Sequence, residues 1–355
     1  MSSKLLNPGP VSLTDRVRRA LMSPDVCHRE PEFRDLVMRV RENITAIYGA
    51  PGYVAVLVAG SGTCAVETML SCVSKDETAL VLANGVYGER MAAMLEAQGK
   101  AHEVVSAPWT SGVDLAAAEK ALASKRFGHV LAVHHETTTG RLNDLAAIGA
   151  LCKRFDVPLL LDAVSSFAGE EIRFAEWNLE ALAATANKCI HGAPGVSFVL
   201  ATRDALSRAS GATSVYLDLH RHAAAQEKGE TPFTLPTHVT FALSEALDEL
   251  AESGGWRARH ATFATRSTHV RTTLRELGVS LLLDRAEDSG ATLTSFRVPA
   301  GKTYEALHER LKDSGFVIYA GQGKFDGQIF RIAVMGALDG GDLARLSAAL
   351  REALG

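Results

Sequence analysis

From its sequence the chain reads as an α/β protein: a large domain with a mainly parallel sheet between helices, then a smaller α+β domain. Three observations predict this. Apolar runs of strand length alternate with helix-length segments from Val54 to Thr202, the pattern of a parallel sheet covered on both faces. A chain of 355 residues that is 47% hydrophobic suffices for one large domain and a smaller one, and excludes a disordered or fibrous chain. Strand and helix candidates begin again after a long helical stretch at Arg257 to Leu277. The expected divisions are an N-terminal arm at 1–20, a large domain at 21–250 and a small domain at 251–355.

In chain order, Leu5 to Pro10 (LLNPGP) is an extended arm, because a residue before proline is pushed away from helix. Thr14 to Met22 and Pro31 to Tyr48 are helical, the second with Phe33, Leu36, Val37, Val40 and Ile44 on one stripe. Between them CHRE places His28 and Arg29 toward a site or toward solvent. Val54 to Ala59 is a buried strand, and GSGTCAVETML follows, a glycine-rich turn opening a helix. Backbone N–H groups and the positive end of a helix dipole there suit an anion, with Gly60, Ser61, Gly62 and Thr63 as candidates. No Lys-Ser/Thr pair follows the glycines and GxGxxG is absent, which argues against a nucleotide.

The alternation continues with strands at Ala79 to Ala83, His102 to Ala107 and Gly128 to His134, and helices at Gly88 to Gln98 and Leu115 to Ser124. Val157 to Asp162 and Gly195 to Thr202 are further strands, the latter followed by a helix. Leu217 to Pro236 has no period and reads as a long loop of the kind that has a functional reason. Helical pattern returns at Ala242 to Ser253 and Arg257 to Leu277. The C-terminal part has strands at Thr292 to Val298, Val317 to Tyr319 and Gln328 to Ala333, with helices at Tyr304 to Ser314 and Asp342 to Ala353.

Ligands of such folds gather at the carboxyl ends of the strands. The unusual sequences lie there: GSGT, NGVYGER (Asn84 to Arg90), HHETTTG (His134 to Gly140), DAVSS (Asp162 to Ser166) and ANKCIHG. Asp162 ends a buried strand, and Lys188 stands on a turn of small residues. Taken singly, these are a helix cap and a solvated loop cation. Together they are the two groups that pyridoxal phosphate chemistry requires, a lysine amine to bond the cofactor aldehyde and a carboxylate to keep the pyridine nitrogen protonated. Tyr87, between glycines, stacks on a cofactor ring or simply packs. Adjacent His134 and His135 point to opposite faces of a strand, so no shared metal is expected. Glu136 and Thr137 to Thr139 offer polar groups to a cofactor or to their own turn. In IFRIAVMG, Arg331 and Ala333 alternate away from Phe330, Ile332 and Val334. Its guanidinium either pairs with a structural carboxylate or offers a bidentate fork to a ligand.

Net charge is -4 with no basic run, so no nucleic-acid partner is implied. The N-terminus carries no signal-like apolar region and no stretch approaches membrane-spanning length; a soluble, cytoplasmic protein is expected. Five cysteines (Cys27, Cys64, Cys72, Cys152, Cys189) with no CxxC pair imply neither a disulfide framework nor a zinc site.

GSGTCAVE, NGVYGER, HHETTTG, LLLDAVSSF, ANKCIHGAPG, PTHV and FRIAVMG, in this order and spacing, resemble the class V, fold-type I aminotransferases. The resemblance runs from NPGP to FRIAVMG. ETTTG, ANKCI and PTHV resemble its phosphonate branch more than its alanine:glyoxylate or serine branches. CHRE resembles the HR-containing arm of the wider class, and the segment after Glu103 is short; these departures bear on the amino donor rather than the cofactor. The resemblance implies a seven-stranded central sheet, pyridoxal phosphate, and a homodimer with active sites at the interface. The implied reaction moves the amino group of 2-aminoethylphosphonate to pyruvate. Alternatives are transamination of alanine or serine with glyoxylate or pyruvate, and a pyridoxal phosphate lyase or desulfurase. Lys188 would bond the cofactor and shuttle the proton, Asp162 would pair with its ring nitrogen, and Tyr87 would stack on it. Ser61, Gly62, Thr63 and Asn187 would hold the phosphate, Val164 would flank the cofactor, and Thr137 would lie near the phenolic oxygen. Thr237, with Thr234 as substitute, would reach the neighbouring subunit's phosphate. Arg331 would bind the acceptor carboxylate, and Arg29 is the weaker candidate for the phosphonate.

Overall fold

Seven strands form the central sheet of the computed structural model, which describes residues 3–355. They are β1 (Tyr53–Gly60), β2 (Ala79–Ala83), β3 (His102–Ser106), β4 (His129–Val133), β5 (Leu159–Asp162), β6 (Leu179–Thr185) and β7 (Gly195–Thr202). Their order is β1-β7-β6-β5-β4-β2-β3, and all pairings are parallel except those of β7, antiparallel to both neighbours. Alternation along β1 explains why its apolar run has no polar breaks: Ala55 and Leu57 enter one core, Val56 and Val58 the other, and both faces are covered.

The helices of this part are α1 (Asp15–Ala20), α2 (Pro31–Ala46), α3 (Gly62–Met69), α4 (Val86–Ala97), α5 (Leu115–Ser124), α6 (Leu145–Arg154), α7 (Arg203–Ser207), α8 (Leu219–Gln226) and α9 (Thr237–Glu252). In α2 the expected stripe is buried, and Pro31 takes the first turn, where its missing N–H costs nothing. Two elements outside the expected loop at Leu217 to Pro236 were not expected from sequence. These are β6, hidden in an alanine-rich stretch, and α6, which Asp144 caps through the Ala147 N–H at 3.0 Å.

The expected long loop at Leu217 to Pro236 is corrected, since α8 occupies part of it. Asp218 caps that helix, and the Gln226 side chain bonds both the N–H and the carbonyl of Leu57, blunting the β1 edge. α9 begins earlier than its apolar pattern, at Thr237, directly after Pro236.

α10 (Gly255–Glu276) leads to a second sheet of β8 (Leu293–Arg297), β9 (Tyr319–Ala320) and β10 (Ile329–Ala333), antiparallel in the order β8-β10-β9 and accompanied by α11 (Tyr304–Asp313) and α12 (Gly340–Leu354). The single strand expected at Val317 to Tyr319 is divided. Phe316–Val317 pairs in parallel with Lys4–Leu5 of the arm, and only Tyr319–Ala320 joins this sheet. The Leu6 carbonyl accepts the Ala333 N–H at 2.7 Å, so the arm runs beside β10. It then crosses Lys188: a Cβ on Gly9 would stand 3.0 Å from the lysine Cδ and Cε. No helix among the described residues is long and apolar enough to cross a membrane.

Candidate active site

Asp162 is the last residue of β5, only 5% exposed, and its Oδ1 accepts the Val164 N–H at 2.9 Å. Burial pushes its pKa up to about 6, against the Val164 N–H and the charges of Lys188 and Arg90. Lys188 sits in the turn between β6 and β7, which closes through Gly192 N–H to the Ala186 carbonyl at 2.8 Å and His191 N–H to the Lys188 carbonyl at 2.9 Å. Its Nζ donates to Ser165 Oγ at 3.3 Å. Burial lowers its pKa to about 8; Cys189 and Asp162 oppose this, while Arg331 and Arg90 add to it. Lys188 is therefore close enough to Asp162, Arg90 and Arg331 to interact with each electrostatically.

The glycine-rich turn lies beside them. Gly60 pairs with Gly195 at the end of the sheet, and α3 opens at Gly62. Ser61 caps it by accepting the Cys64 N–H at 3.4 Å; Ser61 and Thr63 are both exposed, so this helix end is open to an anion. A Cβ on Gly62 would stand 2.6 Å from Val164 Cγ1, which makes glycine the residue that fits against the Val164 wall. The Asn187 Oδ1 accepts from Thr185 Oγ1 at 2.7 Å, and Ser197 Oγ lies 2.9 Å from Thr185 Oγ1 and 3.0 Å from the Gly60 carbonyl. This chain of hydroxyls ties the Lys188 turn to the glycine turn. Sequence reading missed Thr185 and Ser197, whose polarity inside strands was the available signal.

Tyr87 is half-buried and lines a small cavity with Gly62, Thr63, Asp162 and Val164. Its turn is held by Glu136, fully buried, which accepts the Tyr87 N–H at 3.2 Å through Oε2 and the Thr138 N–H and hydroxyl at 3.1 and 2.6 Å through Oε1. Of the two readings of Glu136, the turn-holding one fits these contacts. Arg90, also missed, sits 4.8 Å over the Tyr87 ring and donates to Thr63 Oγ1 at 3.4 Å.

Arg331 is completely buried in β10. Its Nε donates to the Ala320 carbonyl at 2.8 Å, and its Nη1 to the Thr137 carbonyl at 2.7 Å and to Gln322 Oε1 at 3.2 Å. The Tyr319 ring centre lies 4.9 Å away. Nη2 is buried without a partner, as is the hydroxyl of Thr137. Every hydrogen-bond partner of Arg331 among the described residues is neutral, so the structural ion pair left open by the sequence is not what holds it.

Thr237, Thr234 and Arg29 complete the predicted residues. Thr237 opens α9, half-buried, with Oγ1 3.5 Å from His238 Nδ1. Thr234 is exposed, 3.5 Å from His28 Nε2, and Arg29 beside it is exposed. Within one chain none of these makes a hydrogen bond to Lys188, Asp162 or Arg331. His134 and His135 diverge: His134 meets the Trp177 ring edge-on at 5.5 Å, while His135 bonds the Gly140 carbonyl and Thr292.

A family model described as Aminotransferase class-V matches residues 17–338. The chain belongs to the class V aminotransferases. It is 38% identical to a 2-aminoethylphosphonate–pyruvate transaminase of Vibrio vulnificus and 36% identical to one of Salmonella paratyphi C, each over 99% of this chain and 97% of the relative. Among solved structures, an alanine–glyoxylate aminotransferase of Nostoc sp. superposes with a TM-score of 0.92 at 26% identity, covering 100% of this chain and 96% of that one. Enzymes of this class in general depend on pyridoxal phosphate, and the seven-stranded, mainly parallel sheet is the fold-type I architecture.

Proposed function

We propose that this aminotransferase uses pyridoxal phosphate to move the amino group of 2-aminoethylphosphonate to pyruvate, giving phosphonoacetaldehyde and alanine. One observation carries the reading: Lys188 lies within electrostatic reach of both Asp162 and a buried arginine that makes no salt bridge among the described residues and keeps Nη2 unpartnered. The substrate pair follows the transaminases that the chain resembles along nearly its whole length.

The residues fit the cofactor. A lysine lowered to about 8 has a far larger neutral fraction near neutrality than an exposed lysine, and a carboxylate at about 6 gains from a cationic ring nitrogen. The open end of α3 suits a phosphate, and the side chain absent at Gly62 leaves the Val164 wall undisturbed. When bound, pyridoxal phosphate supplies the aldehyde that carries the amino group and a ring that withdraws electrons. Lys188 would hold it through Nζ, Asp162 its ring nitrogen, Gly62, Thr63 and Asn187 its phosphate, with Ser61 capping the helix. Tyr87 and Val164 would flank it and Thr137 would lie by the phenolic oxygen. The amine of Lys188 would take the proton from the nitrogen-bearing carbon of the donor and, in the second half-reaction, give one to the corresponding carbon derived from the acceptor, and Asp162 would keep a negative charge beside the ring nitrogen. Arg331 orients the acceptor through its carboxylate. Arg29 is a secondary candidate for the phosphonate. We place the enzyme in the cytoplasm as a homodimer, Thr237 or Thr234 of one copy serving the phosphate of the other. Residues 1–20, 21–250 and 251–355 would be its arm and two domains.

A desulfurase needs an accessible nucleophilic cysteine. Cys189, beside the lysine, is buried and its thiol is pushed up to about 12 by burial, which disfavours that chemistry.

The test is a panel of amines against the loaded enzyme, following the cofactor's absorbance. Conversion by 2-aminoethylphosphonate is expected, and by alanine as the reverse of the pyruvate half-reaction, but not by serine; conversion by ordinary amino acids without conversion by 2-aminoethylphosphonate overturns the donor. Borohydride reduction and peptide mapping should place the cofactor on Lys188. Arg331→Lys keeps the charge but loses the fork. It should lower kcat/KM for pyruvate by about ten- to a hundredfold, the range for a lost charge-assisted hydrogen bond, while cofactor affinity stays. Near-normal pyruvate kinetics would make Arg331 a structural residue.

A further inference from the structure

A guanidinium that is completely buried ordinarily requires a carboxylate, because an uncompensated buried charge is costly. Arg331 is instead fixed by two backbone carbonyls, one amide oxygen and the face of Tyr319, and its Nη2 is left over. The cation is oriented without a direct ion pair among the described residues; the buried Glu136 carboxylate acts on it only at a distance. Both carbonyls are set by the fold, Ala320 by its pairing with Phe330 and Thr137 by the buried Glu136–Thr138 turn. Of the hydrogen-bond partners among the described residues, Gln322 is the one side chain.

Gln322 is positioned by a contact between distant parts of the chain. Just beyond it, Gly323, at φ +57, passes so near Trp109 that a Cβ there would stand 2.9 Å from the indole. Lys324 Nζ lies 4.2 Å over the same ring, and the Phe325 ring is 5.9 Å from it. The indole N–H is held by Glu89 at 2.7 Å. Glu89 belongs to α4, the helix that also carries Tyr87 and Arg90. Gly321 is equally constrained, since a Cβ there would fall 2.1 Å from the Phe325 carbonyl oxygen. The loop that bears Gln322 is therefore seated on the large sheet's own helix, across from the strand that bears Arg331.

We infer that Gln322 is a positioning residue for the acceptor site: its amide oxygen holds Nη1 of Arg331 so that Nη2 is presented to a ligand carboxylate, and the Trp109 clasp holds Gln322. A neutral amide is required, because a carboxylate there would take the charge that the acceptor needs. The inference rests on Arg331 being the acceptor's cation, as proposed above.

The experiment compares Gln322→Ala, Gln322→Glu and Trp109→Ala in the loaded enzyme, with cofactor titration of the apo protein alongside. Gln322→Ala should raise the KM for pyruvate by about three- to tenfold, the range for one ordinary hydrogen bond, with kcat and cofactor affinity nearly unchanged. Gln322→Glu, nearly the same shape, should raise KM further than alanine by forming an ion pair with Arg331. Trp109→Ala should move KM in the same direction as Gln322→Ala. In an Arg331→Lys background, Gln322→Ala should add little, since coupled residues are not additive. Glutamate tolerated better than alanine would reduce Gln322 to packing and overturn the inference. So would an unchanged KM in Gln322→Ala while Arg331→Lys is crippled. If Arg331→Lys itself uses pyruvate normally, the acceptor reading fails, and this inference fails with it.

Discussion

Burial acts in opposite directions on the two groups at the centre of the site, lowering Lys188 to about 8 and raising Asp162 to about 6, each toward its neutral form. A neutral lysine amine is the form that bonds an aldehyde, and an ionised Asp162 is the form that favours a cationic ring nitrogen. Loading of the apo protein should therefore accelerate as pH rises through about 8, with the neutral fraction of Nζ. It should weaken again as pH falls through about 6, where Asp162 takes a proton. Stopped-flow absorbance over a pH series reads both steps. Asp162→Asn should abolish the lower step and, because the Asp162 charge raises Lys188, move the upper one to lower pH; a wild-type loading rate that is flat across pH 8 would mean that Lys188 is not the group titrating.

At the scale of elements, the open N-terminus of α3 depends on a side chain that is absent. Gly62 has ordinary helical backbone, so alanine would be favoured by propensity. Packing opposes it, because the new Cβ would stand 2.6 Å from Cγ1 and 3.0 Å from Cγ2 of Val164, a β-branched side chain with little freedom to turn. Overpacking of this kind costs about 1–3 kcal/mol. Gly62→Ala should lower Tm and cofactor affinity together, and adding Val164→Ala, which removes both clashing methyls, should restore Tm. If Gly62→Ala binds cofactor as well as the wild type, the Gly62–Val164 contact has no part in the phosphate end.

For the molecule as a whole, Thr234, Thr237 and Arg29 find no partner at the Lys188 cleft of their own chain, and the proposed dimer gives them one. Mixed dimers test this. When Lys188→Ala and Thr237→Val chains are combined, one site in each mixed dimer carries both defects and the other carries neither. Activity should therefore appear on mixing and reassembling two inactive or weakened parents. If Thr237 serves its own subunit or none, mixing gains nothing over the parents' average.

The sequence by itself determined the alternating architecture, the central sheet's strand-end turns and the residues of those turns, because hydrophobic period, glycine placement and residue type are local properties. Lys188, Asp162, Gly62 and Tyr87 stood out as candidates for that reason. It also carried Arg331 as far as a choice between an ion pair and a ligand. Tertiary structure decided the rest. That Arg331 has only neutral partners depends on Ala320, Thr137 and Gln322, and the last two come from different sheets' surroundings. α8 was hidden because its role, Gln226 on the edge of β1, is a contact over 169 residues that leaves no period. β6 was hidden because a strand buried on both faces needs no alternation, and alanines fit it as they would fit a helix. Arg90 and Gln322 look like ordinary surface residues until the fold places one over Tyr87 and the other against Arg331. Residue types are written in the chain, but which charges are left without a direct partner is decided only when distant segments are packed together.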